Sequence, residues 1–148
     1  MTTTTATDTQ VYQVFIKASP ERIWEAITTP EFTEQYFHGG RIAVGPDRVV
    51  SHGPNGEVRR DDEVFEYDPP RRLVHSWRPL YDPELAAEEP SRVSWEIEPQ
   101  DGGFAKLTVV HDRLEGAPKT AASVAGEGWM MVLSGLKTLL ETGRPLQS

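Results

Sequence analysis

The sequence contains no cysteine. That absence excludes disulfides, thiolate nucleophiles and sulfur-ligated zinc, and it fits a reducing cytosol. Positive charge is scarce: 15 Lys and Arg stand against 23 Asp and Glu, for a formal net charge of −8. Such a surface repels phosphate backbones, so no nucleic acid is expected as a partner. No apolar run approaches the roughly 20 residues that cross a bilayer, so no membrane contact is expected either. The opening MTTTTATDTQ has neither a basic region nor an apolar stretch. Residues 1–9 therefore read as a polar disordered tail rather than a secretory signal, and the expected location is cytoplasmic. Internal repeats and interior low-complexity tracts are also missing.

What is present fits one domain over residues 10–142, followed by a short tail over 143–148. A chain of 148 residues buries roughly 70% of the surface its unfolded form exposes, enough for a core and a cavity. Val11 to Lys17 is rich in β-branched and aromatic residues and reads as a strand. Ser19-Pro20 and Thr29-Pro30 are helix-start signals, each followed by a short apolar stripe. The first stripe is Ile23, Trp24 and Ile27; the second is Phe32, Tyr36 and Phe37, closed by Gly39-Gly40. From Arg41 to His111, short β-like runs are separated by GPD, GPNG, DPP and PQDGG. Strands joined by such links form an antiparallel meander. The acidic stretch over 82–90 reads as a loop with room for one helical turn. From about Ala121 to Glu141, the residues Trp129, Val132, Leu133, Leu136 and Leu140 share one helix face. Gly126 and Gly128 mark a bend or a late start in that helix.

Side chains alternate faces along a strand. Leu73, His75 and Trp77 share one face, as do Val93, Trp95 and Ile97, and Ala105, Leu107, Val109 and His111. The opposite faces carry Arg72, Arg78, Glu96 and Lys106, the last three read as cross-strand partners on a solvated face. His75, Trp77, Trp95 and His111 are thus expected to point at the long helix. Each buried indole and imidazole nitrogen needs a partner. They either bond to one another and to buried water, or they line an apolar pocket with a few convergent polar groups.

Catalytic and metal signatures are thin. His38, His52, His75 and His111 form neither H-x-H nor H-E-x-x-H, so no metal is expected. No serine sits in a G-x-S-x-G elbow. Val64 and Glu66 share a face, so an inward Val64 brings Glu66 inward beside His75. That pair would suit acid–base chemistry, while the plainer reading is a surface glutamate. The doublets Arg59-Arg60 and Arg71-Arg72 read as solvated strand ends. Trp129 is expected in the roof of a pocket, with Tyr36 and Phe37 at its opposite end.

The segments SPERIWEAITTPEFTEQYF, DEVFEYDPPRRLVHSW and GWMMVLSGLKTLLE occur in that order. They resemble the opening segment, the double-proline hairpin and the final helix of bacterial homologues of the activator of the heat-shock protein ninety ATPase. These proteins lie within the START-like, or SRPBCC, superfamily. The resemblance spans about residues 10 to 142 and implies an α+β helix-grip fold: a curved antiparallel sheet, two short helices and one long C-terminal helix. It also implies a cavity between that helix and the concave sheet face, but no particular ligand. The chain departs from the family at Tyr36, where tryptophan is frequent, and in the long acidic 82–90 stretch.

The leading expectation is binding of a small, largely apolar molecule, aromatic or lipid-like. Its contacts are assigned to Tyr36, Phe37, His75, Trp77, Trp95, His111, Trp129 and Leu133, with the two histidines orienting a polar end. No cofactor is expected, and the chain is read as a monomer or homodimer. Two other classes stay open: a protein-interaction or chaperone-assisting role, and a pocket acid–base enzyme of cyclase or hydratase type.

Overall fold

The structure is a computed structural model, and it describes residues 8–125 and 127–146. Most of the expected N-terminal tail, the end of the C-terminal tail and Gly126, one of the two bend markers, lie outside the described residues. The chain runs β1 (Gln10–Ile16), α1 (Pro20–Thr28), α2 (Pro30–Thr33), β2 (Arg41–Val44), β3 (Arg48–His52), β4 (Val58–Asp68) and β5 (Arg72–Trp77). It continues through α3 (Pro83–Ala86), β6 (Ser91–Gln100), β7 (Phe104–Asp112), α4 (Pro118–Val124) and α5 (Glu127–Thr142). The seven strands form one sheet in the order β1-β7-β6-β5-β4-β3-β2, antiparallel throughout. This is the α+β helix-grip arrangement the sequence implies. Among the described residues, no helix is long and apolar enough to cross a membrane.

The helix starts follow local chemistry. Ser19 Oγ accepts the Arg22 N–H at 3.1 Å, and Pro20 opens α1. Ala117, ahead of α4, has no side chain that can cap. Glu88 from the acidic stretch fills that role, its carboxylate accepting the Lys119 and Thr120 N–H groups at 2.8 and 2.9 Å. Glu84 adds an ion pair to Lys119 at 2.7 Å. The 82–90 stretch thus fastens the start of α4 to the sheet rim, and it contains one short helix capped by Asp82. Glu88→Ala is expected to lower stability by about 1 kcal/mol, within the range of lost helix caps. Urea unfolding of the two proteins measures it.

The alternation read from β5, β6 and β7 holds. Leu73, His75, Trp77, Val93, Trp95, Ile97, Ala105, Leu107, Val109 and His111 are all buried. Against them α5 sets Trp129, Val132, Leu133, Leu136 and Leu139. The stripe shifts by one residue from the expected Leu140, which is only partly buried, because 3.6-residue periodicity drifts over four turns. The helical segment also divides in two, with Ala125 extended between α4 and α5. On the outer face, Glu96 pairs with Arg72 rather than Arg78, and Lys106 pairs with Glu98 at 3.2 Å. The ladder decides this: Arg72 stands opposite Glu96, and Glu98 opposite Lys106.

Candidate functional site

Three inward polar rings of the sheet, His75, Trp95 and His111, join Trp129 of α5 in two directed hydrogen-bond chains. The Trp95 Nε1–H donates to His75 Nε2 at 3.0 Å. The other ring nitrogen, Nδ1, lies 2.7 Å from the Ser76 carbonyl, which can only accept, so Nδ1 carries the proton. The Trp129 Nε1–H likewise donates to His111 Nδ1 at 3.0 Å. His111 Nε2 then carries the proton and donates to Ser91 Oγ at 2.8 Å, and the Ser91 hydroxyl donates to the Trp77 carbonyl at 3.1 Å. Both tautomers are fixed by their partners. Burial, helped by the nearby Arg60 charge, pushes each imidazole down to about 3. Protonating either ring would set an N–H against an indole N–H.

Two expectations change accordingly, while the plainer reading of Glu66 holds. His75 and His111 do not orient a ligand, because both nitrogens of each ring are spent on the protein. They do not serve as acid or base near neutral pH for the same reason. Glu66 is exposed and pairs with Arg72 Nε at 2.9 Å on the outer face. The β4–β5 ladder shifts between Val64, opposite His75, and Glu66, opposite Val74. One extra residue in β4 reverses the facing of everything after it. The acid–base enzyme built on Glu66 and His75 therefore has no site.

The space under the helices overlaps the expected ring set only in part. A cavity of about 180 Å³ separates the β3–β5 end of the sheet from the helices. Its sheet wall is Ser51, Arg59, Arg60 and Trp77; its helix wall includes Val124, Trp129 and Val132. Phe37 and His38 close one side, and the exposed Tyr81 stands at the rim. Of the residues expected to meet a ligand, Phe37, Trp77 and Trp129 line this space. Trp95 packs edge-on behind Trp129 at 5.5 Å, and His111 edge-on behind Trp77 at 5.4 Å, so these two support the wall. His75 stacks alongside Trp77 at 6.4 Å, again as support. Leu133 is core. Tyr36 turns away, its hydroxyl donating to the Ala26 carbonyl at 2.8 Å and its Cβ lying 3.0 Å from where a Cβ on Gly135 would be. That close approach of α5 to Tyr36 favours glycine at 135, since a side chain there would push the two apart by a few tenths of an ångström.

Arg60 is the residue the sequence reading misplaced. Its side chain is 5% exposed, not a solvated strand end. Arg60 and Asp62 share the inward parity of Val64, upstream of the β4 irregularity, so both are carried into the interior. Arg60 Nη1 donates to Asp62 Oδ2 at 2.6 Å, and its guanidinium lies 3.8 Å over the Trp77 ring. Asp62 Oδ1 accepts from Ser76 Oγ at 3.2 Å and the Arg78 N–H at 3.1 Å. Burial pulls the Arg60 guanidinium below its usual value and pushes the Asp62 carboxyl above its own, against their mutual attraction. The Trp77 Nε1–H, buried at the cavity, has no hydrogen-bond partner among the described residues. Among those residues, no group of three His, Asp or Glu side chains is placed to hold a metal ion.

Comparison with known proteins places this geometry. The family described as activator of Hsp90 ATPase homolog 1-like protein matches residues 17–141. No curated protein matches. Among solved structures, a Mesorhizobium loti protein is 24% identical, with a TM-score of 0.72 over 90% of this chain and 96% of that one. The Aha1 dimer from Colwellia psychrerythraea is 21% identical, with a TM-score of 0.68 over 91% and 97%. DynU16, from the dynemicin biosynthetic locus, is 24% identical, with a TM-score of 0.73 over 93% of this chain and 49% of that one. At these identities the likeness is one of fold.

Proposed function

Because the chain belongs to the family of activator of Hsp90 ATPase homolog 1-like proteins, a fold whose members carry varied roles, we propose that it binds a small, largely apolar molecule in the cavity between α4–α5 and the sheet. The observation that carries this reading is the aromatic-walled space of about 180 Å³ bounded by Phe37, Trp77 and Trp129. A cavity of about 150 Å³ admits benzene, so a single-ring body fits. Burying on the order of 150 Å² of such a ring gains about 4 kcal/mol at about 25 cal/mol per Å². Alone, that corresponds to a Kd near 1 mM before ordering losses, so polar contacts must supply specificity.

Native mass spectrometry of the protein purified from its own host tests the reading. A one-to-one small-molecule adduct is expected, absent from Val132→Phe, whose added ring occupies the cavity. A wild-type protein that carries no adduct and takes up no single-ring compound would contradict it. A protein-interaction role draws support from the family's description and from Val11 and Phe15, exposed on the edge strand β1. That role would be unaffected by Val132→Phe, which separates the two.

A further inference from the structure

We propose that the occupant of this cavity carries a compact anionic oxygen head, a carboxylate, on its apolar body, and that Arg60, Trp77 and Ser51 read that head. The proposal rests on the cavity-binding reading and deepens it. Acidic residues outnumber basic ones in this chain by 23 to 15. Yet, among the described residues, the cavity wall contains two arginines, Arg60 and Arg59 (the latter 3.9 Å from Glu57), and no Asp or Glu. Asp62, the counter-ion of Arg60, does not line the cavity, and its second oxygen is held by Ser76 and Arg78. The sign of charge at the wall is therefore opposite to that of the molecule as a whole.

Three polar groups at the wall, Arg59, Arg60 and Trp77, can only donate, and Ser51, Ser123, His38 and Tyr81 can donate or accept. The Trp77 Nε1–H can only donate, and it is buried without a partner at a residue 7% exposed. Arg60 makes one hydrogen bond among the described residues, through Nη1. A guanidinium has five N–H groups and no acceptor, so four donors are left over on a side chain that lines the cavity. Stacking on Trp77 fixes the plane of that fork, which pre-orients it for a carboxylate. Ser51 stands directly opposite Arg60 in the β3–β4 ladder and is 4% exposed. Its hydroxyl lines the same wall and is the one group of the three able to turn its proton either way. An ammonium head would meet Arg60 as a like charge. A hydroxyl or amide head would bring donor hydrogens to a wall that already has a surplus. An acceptor-only anion can take hydrogen bonds from the donor-only groups and from the Ser51 hydroxyl.

Titration with benzoate and with toluene, followed by ¹⁵N–¹H and methyl spectra, separates the head from the body. Benzoate is expected to bind tighter than toluene and to move the Trp77 indole N–H. The Trp95 and Trp129 indole signals, already bonded to imidazoles, should move far less. Arg60→Met should lower the benzoate-to-toluene affinity ratio at least tenfold, on the scale of a lost charge-assisted bond. Trp77→Phe keeps a ring and removes the N–H, and should lower the ratio about threefold. Toluene binding as tightly as benzoate, with Val132 methyl signals shifting for both, would overturn the anionic head and leave the apolar cavity standing. If neither compound shifts Val132 or Trp129, the cavity reading falls and the head-group proposal with it.

Discussion

Asp62→Ala is expected to lower the unfolding free energy by about 3–5 kcal/mol, and Arg60→Met by distinctly less. Removing one partner of a buried ion pair leaves the other charge uncompensated, and losses of that size follow. The two halves of this pair are not equivalent. Without Arg60, Asp62 still accepts from the Ser76 hydroxyl and the Arg78 N–H. Without Asp62, Arg60 has no carboxylate within ion-pair reach among the described residues and rests on the Trp77 face. A total stability of about 5–15 kcal/mol makes the first variant marginal and the second measurable. Urea unfolding monitored by tryptophan fluorescence gives both numbers. Equal, small losses of about 0.5 kcal/mol would mean that Arg60 is a solvated strand end after all.

Stability should also fall steeply below neutral pH, because His75 and His111 are held near 3 in the folded protein. Unfolded, each returns to about 6.5. As pH falls through 6.5, the unfolded chain takes up protons that the folded one refuses. Stability is therefore complete above pH 6.5 and is lost between 6.5 and about 3. Each histidine contributes a slope approaching about 1.4 kcal/mol per pH unit. Together they are expected to cost about 4 kcal/mol between pH 7 and pH 5. Asp62, whose carboxyl is raised by burial, acts in the opposite direction toward the acid end of the range. Replacing His111 with Gln should halve the slope. Urea midpoints that stay flat from pH 7 to pH 5 would mean that the imidazoles are solvated or that their indole bonds do not form.

How much of this was legible in the chain depended on how regular each ladder is. Strands β5, β6 and β7 pair without irregularity, so counting by twos located every inward ring from Leu73 to His111. Along β4 the same counting left the facing of Val64 open. Had Val64 been set inward, counting back two and four residues would have placed Asp62 and Arg60 there, a base and an acid at i and i+2 on one buried face. Local composition hid them, since an Arg-Arg doublet looks like a strand end. The surface placement of Glu66 was the plainer reading from residue type, but parity could not show it: the extra residue at the β4–β5 irregularity depends on the partner strand, not on β4's own pattern. The indole–imidazole bonds were half legible. Periodicity gives a shared face, but which ring reaches which depends on the strand order and on the angle of α5. The cavity was least legible. It exists because Phe37, Arg60 and the α4–α5 junction leave a gap, and volume left between elements has no periodic signature.

A crystal structure determined under xenon pressure tests the central claim most directly, since xenon enters enclosed apolar space and reports it without a chemical label. One ordered xenon is expected among Phe37, Trp77, Trp129 and Val132. A structure with no xenon there, in which the helix wall at Val124 and Val132 packs directly onto Ser51 and Arg60, would contradict the account.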